Sequence, residues 1–289
     1  MKVSGFTFIR NAVKFDYPIK EAILSILPLC DEVIVMLGQS DDGTRELLQS
    51  ISDNRIKIID STWDDSLREG GKVLADETNK ALSHVAADSD WAFYIQGDEV
   101  LHEHSYEAIK DALKKYKDDS NVEGLLFNYR HFYGSYDYVG NSRKWYRKEI
   151  RVIKNDKTIK SYKDAQGFRK NGKKLKVKPV YAFIHHYGWV KPPKAMQEKQ
   201  KEFHKMWHDD KWVEANIPKL DEFDYSKIDS LAVFRGTHPE VIKERIKRQN
   251  WKFTFDPTTK KMPLLTSLLH GVEQFTGWRP GEYKNYKII

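Results

Sequence analysis

Glu32-Val33-Ile34-Val35-Met36-Leu37 runs straight into Gly38-Gln39-Ser40-Asp41-Asp42-Gly43-Thr44. A nearly unbroken apolar run of this length is what a strand covered on both faces requires. The Ser, Asp and Gly that follow suit a tight turn into a helix: Ser40 or Asp42 can cap it, and Gly43 can take an awkward backbone angle. The same alternation continues outward on both sides. Upstream, Val3 to Ile9 reads as a strand. Asp16 and Pro18 then open a helix with Ile19, Ala22, Ile23, Ile26 and Leu27 at helical spacing. Downstream, a helix is predicted over Thr44 to Ile51 and a strand over Arg55 to Asp60. A longer helix follows over about Gly71 to Val85, then a strand at Trp91 to Ile95 that stops abruptly at Gln96-Gly97-Asp98-Glu99. Strand and helix in alternation predict βαβ units, and so an α/β fold with a mostly parallel central sheet flanked by helices.

An amphipathic helix near Ser105 to Tyr116 and a strand at Gly124 to Tyr129 extend the pattern, and beyond residue 130 the rhythm changes. Strands are expected at Glu149 to Ile153 and Val180 to His186. Pro192-Pro193 marks a break before a charged helix from about Lys194 to Trp207. The organisation read from this is a core domain over residues 1–190 and a mainly helical C-terminal extension over 191–289, flanking the ligand site or packed on the core.

The chain has 289 residues, 40% of them hydrophobic, enough for a packed core. No run approaches the roughly 20 apolar residues of a membrane span, and Met1-Lys2-Val3-Ser4 leads into strand-like sequence without a signal segment. A cytoplasmic protein is expected. The single cysteine, Cys30, sits in an apolar run and reads as a small buried hydrophobe. The net charge of +7 suits an anionic partner, and the basic residues are densest from Arg143 to Lys178. Zinc-finger spacing, an RNP-like strand and a helix-turn-helix pattern are all missing from the sequence, so no nucleic-acid partner is expected.

Ligands of open α/β sheets bind outside the carboxyl ends of the strands. Two strand ends are chemically rich. The Ser40-Asp41-Asp42 loop can hydrogen-bond ribose hydroxyls or a base edge, although helix capping alone explains most of it. Acids following five apolar residues, at Gln96-Gly97-Asp98-Glu99, can hold a hard divalent cation against phosphate oxygens, or can simply form a polar turn. Late in the core, Ile184-His185-His186-Tyr187-Gly188-Trp189 places two histidines on opposite faces of one strand, so that only one can serve a given site.

The chain resembles family-2 glycosyltransferases of the GT-A fold over roughly residues 1 to 190. The resemblance rests on Arg10-Asn11 after the first strand, Asp31-Glu32-Val33-Ile34-Val35 leading into Ser40-Asp41-Asp42-Gly43-Thr44, the helix with Asn79 and Ala81, and a DxD-like Gln96-Gly97-Asp98-Glu99. It implies the transfer of a sugar from a nucleotide-diphosphate donor to a glycan, lipid-linked or protein acceptor, with inversion and with Mn2+ or Mg2+ as cofactor. The implied donor contacts are Arg10, Asn11, Gly38, Ser40, Asp41, Asp42, Lys72, Gln96 and Gly97; the implied metal ligands are Asp98 and His186. Gln96 stands where the family usually has Asp. The resemblance also implies a carboxylate base between the DxD and the late histidine. Asp164 in Lys163-Asp164-Ala165-Gln166-Gly167 is the candidate, with Glu149 and Asp156 as rivals.

Two other functions compete. A nucleotidyltransferase would also use an α/β sheet and acidic metal ligands, but it would be expected to carry a Gly-rich loop after the first strand, which Phe8-Ile9-Arg10-Asn11-Ala12 is not. A non-catalytic nucleotide-sugar-binding module is the other, favoured by Gln96. The tail, with Leu264-Leu265, Leu268-Leu269, Phe275 and Trp278, either packs on the core or makes a peripheral membrane contact.

Overall fold

A computed structural model describes residues 1–67, 69–208, 210–216 and 220–289, with Asp65 and Glu69 described by their backbone alone. The opening alternation forms as the periodicity predicts. It consists of β1 (Val3–Ile9), α1 (Ile19–Ile26), β2 (Glu32–Gly38), α2 (Thr44–Gln49), β3 (Ile56–Ser61), α3 (Lys72–Ser83) and β4 (Trp91–Tyr94). β3, β2, β1 and β4 lie side by side in that order, all parallel. The apolar run of β2 serves both faces. Val33, Val35 and Leu37 pack with Ile19, Ile23 and Ile26 of α1, while Ile34 and Met36 pack with Ala81 and Leu82 of α3.

Beyond β4 come the three-residue β5 (Glu99–Leu101), α4 (Tyr106–Lys115), β6 (Gly124–Tyr133), β7 (Ser135–Gly140) and β8 (Lys148–Lys154). β8 joins β4 antiparallel, β6 joins β8 antiparallel and β7 folds back on β6. The sheet therefore becomes mixed after residue 120. Gly134, at φ +72°, turns β6 directly into β7, and so short a link permits only antiparallel neighbours, whereas parallel ones need a crossover. A separate small sheet holds β9 (Ile159–Tyr162), β10 (Gly167–Lys170) and β11 (Lys173–Lys174). It is tied to α3 by Asn79, which accepts from the Ser161 amide at 2.7 Å and donates to the Ser161 carbonyl at 3.3 Å.

The longest strand, β12 (Lys176–Trp189), exceeds its predicted span at both ends. It runs parallel to β6 and antiparallel to β5, pairing His186 with Glu99. After it come α5 (Pro193–Lys205), α6 (Asp210–Asn216), β13 (Leu231–Val233), α7 (Lys243–Lys247), α8 (Leu264–Thr276) and β14 (Lys287–Ile288). This C-terminal third joins the sheet: β13 pairs with β7 and β14 with β12. Its Met196, Tyr225, Ile228 and Leu231 pack around Tyr133, and its Ile242 packs against Phe132 and Tyr187. α8 behaves differently, because Leu264, Leu268 and Phe275 point outward. No helix of the described residues is long and apolar enough to cross a membrane. Cys30 is buried, as expected, and burial raises its thiol pKa far above the ordinary value.

Candidate functional site

The carboxyl ends of β1 and β4 open into a cleft of about 410 Å3, closed on its far side by α5. Four of the expected donor contacts, Arg10, Asn11, Gln96 and Gly97, line it together with the expected metal ligand Asp98. Asn11 sits in a left-handed conformation at φ +53°, and its buried Oδ1 has no hydrogen-bond partner. Trp63, which sequence reasoning passed over, forms an aromatic wall edge-on to Phe8, with the Arg10 guanidinium 5.4 Å from its ring centre. Its buried Nε1 also lacks a partner. Gly38 is explained by this ring, since a Cβ there would lie 2.4 Å from Trp63 Nε1.

Asp98 and His186 meet where β5 and β12 pair. His186 Nε2 lies 3.7 Å from Asp98 Oδ2. The imidazole's protonation follows from its neighbours. His131 Nε2 faces the Tyr146 carbonyl at 2.8 Å and so donates to it. Burial holds His131 well below the usual histidine range, so the ring is neutral and its Nδ1 accepts. That Nδ1 is 3.2 Å from His186 Nδ1, which must then be the donor. Burial lowers the His186 pKa as well. In this tautomer the Nε2 lone pair of His186 is turned toward the Asp98 carboxylate, an arrangement that a cation between them makes favourable. Gly188 leaves the room: its Cβ would fall 2.6 Å from Asp98 Oδ2 and 2.8 Å from His186 Nε2. The residues therefore fit a divalent ion, whose ligands lie about 2.0–2.2 Å from it.

A cation already faces this carboxylate. Lys199 Nζ of α5 is 3.4 Å from Asp98 Oδ2 and donates to the Gly188 carbonyl at 2.9 Å. Burial alone would raise the Asp98 carboxyl, but the Lys199 and Lys191 ammonium groups, joined by His186 whenever that ring is protonated, hold its pKa below the ordinary value. Glu99, next in sequence, has another task. Its carboxylate receives Arg151 Nε at 2.8 Å, Arg151 Nη2 at 2.7 Å and the Tyr129 hydroxyl at 2.8 Å, with both Glu99 and Arg151 fully buried.

The remaining expected residues are placed as follows. Gly38 and Ser40 line a shallow hollow beside the cleft, with Arg45 and Asp60. Ser40 Oγ accepts from the Asn11 amide at 2.9 Å, and Asp42 accepts from the amides of Lys14 at 2.7 Å and Thr44 at 3.1 Å. These two side chains hold the β1 end loop in place, while Asp41 is exposed and Gly43 starts α2 at φ +85°. Lys72 and Asp164 line a further hollow of about 660 Å3 with Trp207. It adjoins the cleft: the Gln96 amide donates to the Ala165 carbonyl at 3.3 Å, and Gly71 N donates to the carbonyl of Met206, a cleft residue. Burial raises the Asp164 carboxyl. Glu149 lies behind the same hollow; burial pushes its carboxyl up to about 8, and its buried Oε2 has no partner. Asp156 is instead held at about 2: burial works against the charge, but Thr158 and Lys170 outweigh it. The described residues also group His102, Glu103 and His104, but both ring nitrogens of His102 are engaged, by the His104 amide and Thr237.

No family model matches the chain, and no curated protein does. Solved structures do. Staphylococcus aureus TarS is 16% identical, over 70% of this chain and 39% of its own, with a TM-score of 0.40. The 4-diphosphocytidyl-2C-methyl-D-erythritol synthase of Anaerococcus prevotii is 14% identical, over 66% of this chain and 91% of its own, with a TM-score of 0.39. Glucosyl-3-phosphoglycerate synthase from Mycobacterium tuberculosis, solved with Mn2+, uridine diphosphate and phosphoglyceric acid, is 17% identical, over 46% of this chain and 43% of its own, with a TM-score of 0.29. The chain thus spans well under half the length of TarS and of the mycobacterial enzyme. At these scores the likeness concerns chain layout and none of the chemistry.

Proposed function

We propose that this chain is a glycosyltransferase that moves a sugar from a nucleoside-diphosphate donor to an acceptor hydroxyl, with Mn2+ or Mg2+ held by Asp98 and His186. One observation carries the reading: a carboxylate and an imidazole lone pair face each other 3.7 Å apart at the carboxyl end of a parallel sheet, with Gly188 keeping the space between them open. A bound cation would neutralise charge on a diphosphate leaving group. The chain's own residues do the rest. The cleft flanked by Arg10, Asn11 and Trp63 takes the nucleoside, with Asn11 Oδ1 and Trp63 Nε1 available to bond it. Gln96, bonded to the Ala165 carbonyl, fixes the loop that carries Asp164 against the strand end. Asp164, its carboxyl raised by burial, takes the acceptor proton. The acceptor, a glycan, a lipid-linked molecule or a protein, enters through the hollow that Asp164 lines.

Titration calorimetry with nucleoside diphosphates tests the reading. Wild-type binding is expected to tighten with Mn2+ or Mg2+, Asp98→Ala to lose that increment and His186→Ala to weaken it. Equal binding in chelator would refute the metal site. With a donor identified, Asp164→Asn should keep donor affinity and slow transfer by roughly 10²–10⁴-fold; unchanged turnover would move the base to Glu149.

A further inference from the structure

α8 is inside out. At about 100° per residue, Leu264, Leu265, Leu268, Val272 and Phe275 fall within one arc of about 100°. All five are exposed, Leu264 by 87% and Phe275 by 93%. The polar residues take the inner face. His270 is buried, and the Glu273 carboxylate receives Arg143 at 3.0 Å, Arg279 at 3.3 Å and Arg147 at 3.5 Å. Three arginines thus orient the helix by its charged side and hold its apolar side outward. A contiguous apolar face of this kind marks a surface meant for another phase or partner.

We propose that this face rests on an anionic lipid surface. Charge selects that occupant. From Lys243 to the end the chain carries ten Lys and Arg against four acids, and two of those acids, Glu273 and Glu282, are paired with arginines. Exposed Lys260 and Lys261 lead into the helix, and exposed Lys284 and Lys287 follow it. Trp278, 66% exposed just past its end, is the aromatic type that seats at a headgroup boundary. An apolar helix face with flanking lysines combines insertion with attraction to acidic headgroups. The helix is too short to span, so it lies in the interface. The inference goes beyond sugar transfer and does not depend on it.

Co-sedimentation of the full chain with phosphatidylcholine vesicles, with and without phosphatidylglycerol, provides the test. The wild type should pellet with the anionic vesicles and be released by salt. Leu264→Ser/Leu268→Ser/Phe275→Ser should weaken binding by about tenfold or more, and Lys260→Gln/Lys261→Gln should weaken it on anionic vesicles only. Both variants alter exposed side chains and should retain the wild-type circular dichroism and nucleotide affinity. Wild type left in the supernatant with every vesicle overturns the proposal, as does a triple variant that binds as well as wild type. A wild-type dimer that the triple variant converts to monomer, with no vesicle binding by either, would make the occupant a second copy of this chain.

Discussion

Lys199 donates to the Gly188 carbonyl while its ammonium stands 3.4 Å from Asp98 Oδ2, so any divalent ion at Asp98 must contend with a resident positive charge. If the two compete for one carboxylate oxygen, Lys199→Gln should bind Mn2+ about tenfold more tightly in the absence of nucleotide, a change of about 1.4 kcal/mol. Paramagnetic resonance of free Mn2+ measures this directly, and unchanged or weaker affinity would show that lysine and metal do not share a seat. Glu149 offers a second test at this scale. Its carboxyl, raised to about 8 by burial, faces Arg151, Glu99 and Asp164, with Tyr146 and Tyr286 close by. Between its ordinary value near 4.5 and about 8, the folded chain keeps a proton that the unfolded chain has lost. Stability should therefore fall as pH rises through that window, by at most about 1.4 kcal/mol per unit. Glu149→Gln should flatten the profile and be more stable than wild type at pH 7.5 in urea unfolding. Parallel profiles would mean that Glu149 ionises normally.

At the scale of elements, the geometry of the Asp98–His186 pair depends on where β5 is held. Glu99 follows Asp98 directly, and its fully buried carboxylate is gripped by Arg151 of β8 and Tyr129 of β6. Removing one partner strands the other, which costs about 3–5 kcal/mol, whereas replacing both with apolar residues costs far less. Arg151→Met should lower unfolding free energy by that amount, and Glu99→Leu/Arg151→Met should recover most of it. A double variant as unstable as the single one would show that Glu99 is needed for more than its pairing. β5 was invisible in the sequence because three residues have no period, and its register comes from contact with Ile184, His185 and His186 far along the chain. β2 and β4 were legible because burial on both faces writes a continuous apolar run. Asp98 and His186 were legible for a related reason, as polar groups ending or interrupting such runs. Lys199 was not. In the charged sequence of α5 many positions carry Lys or Glu, and only the packing of the helix over the cleft decides which one meets Asp98. Trp63 was hidden likewise, in a loop whose course no periodicity dictates.

Across the whole molecule, the C-terminal third closes the sheet rather than hanging from it. β13 extends the β7 edge, β14 pairs with the start of β12, and Tyr225, Ile228, Leu231, Ile242 and Tyr286 are buried against residues of the first 190. Fully burying large apolar side chains stabilises by roughly 1.5–3 kcal/mol each, so these five contribute on the order of 10 kcal/mol. An ordinary domain has only about 5–15 kcal/mol in total. Loss of the tail would also bare Phe132, Tyr133, Tyr136 and Tyr187, an aromatic surface continuous with the Asp98 strand pair. A chain ending at Trp207 is therefore expected to lose cooperative thermal unfolding and to bind a hydrophobic dye, while the full-length triple variant in α8 keeps a sharp transition. The contrast separates two kinds of apolar residue in one segment, those that complete the core and those that face outward. A 1–207 chain that unfolds cooperatively and binds nucleotide with metal as the full chain does would establish that the first 190 residues stand as a domain of their own.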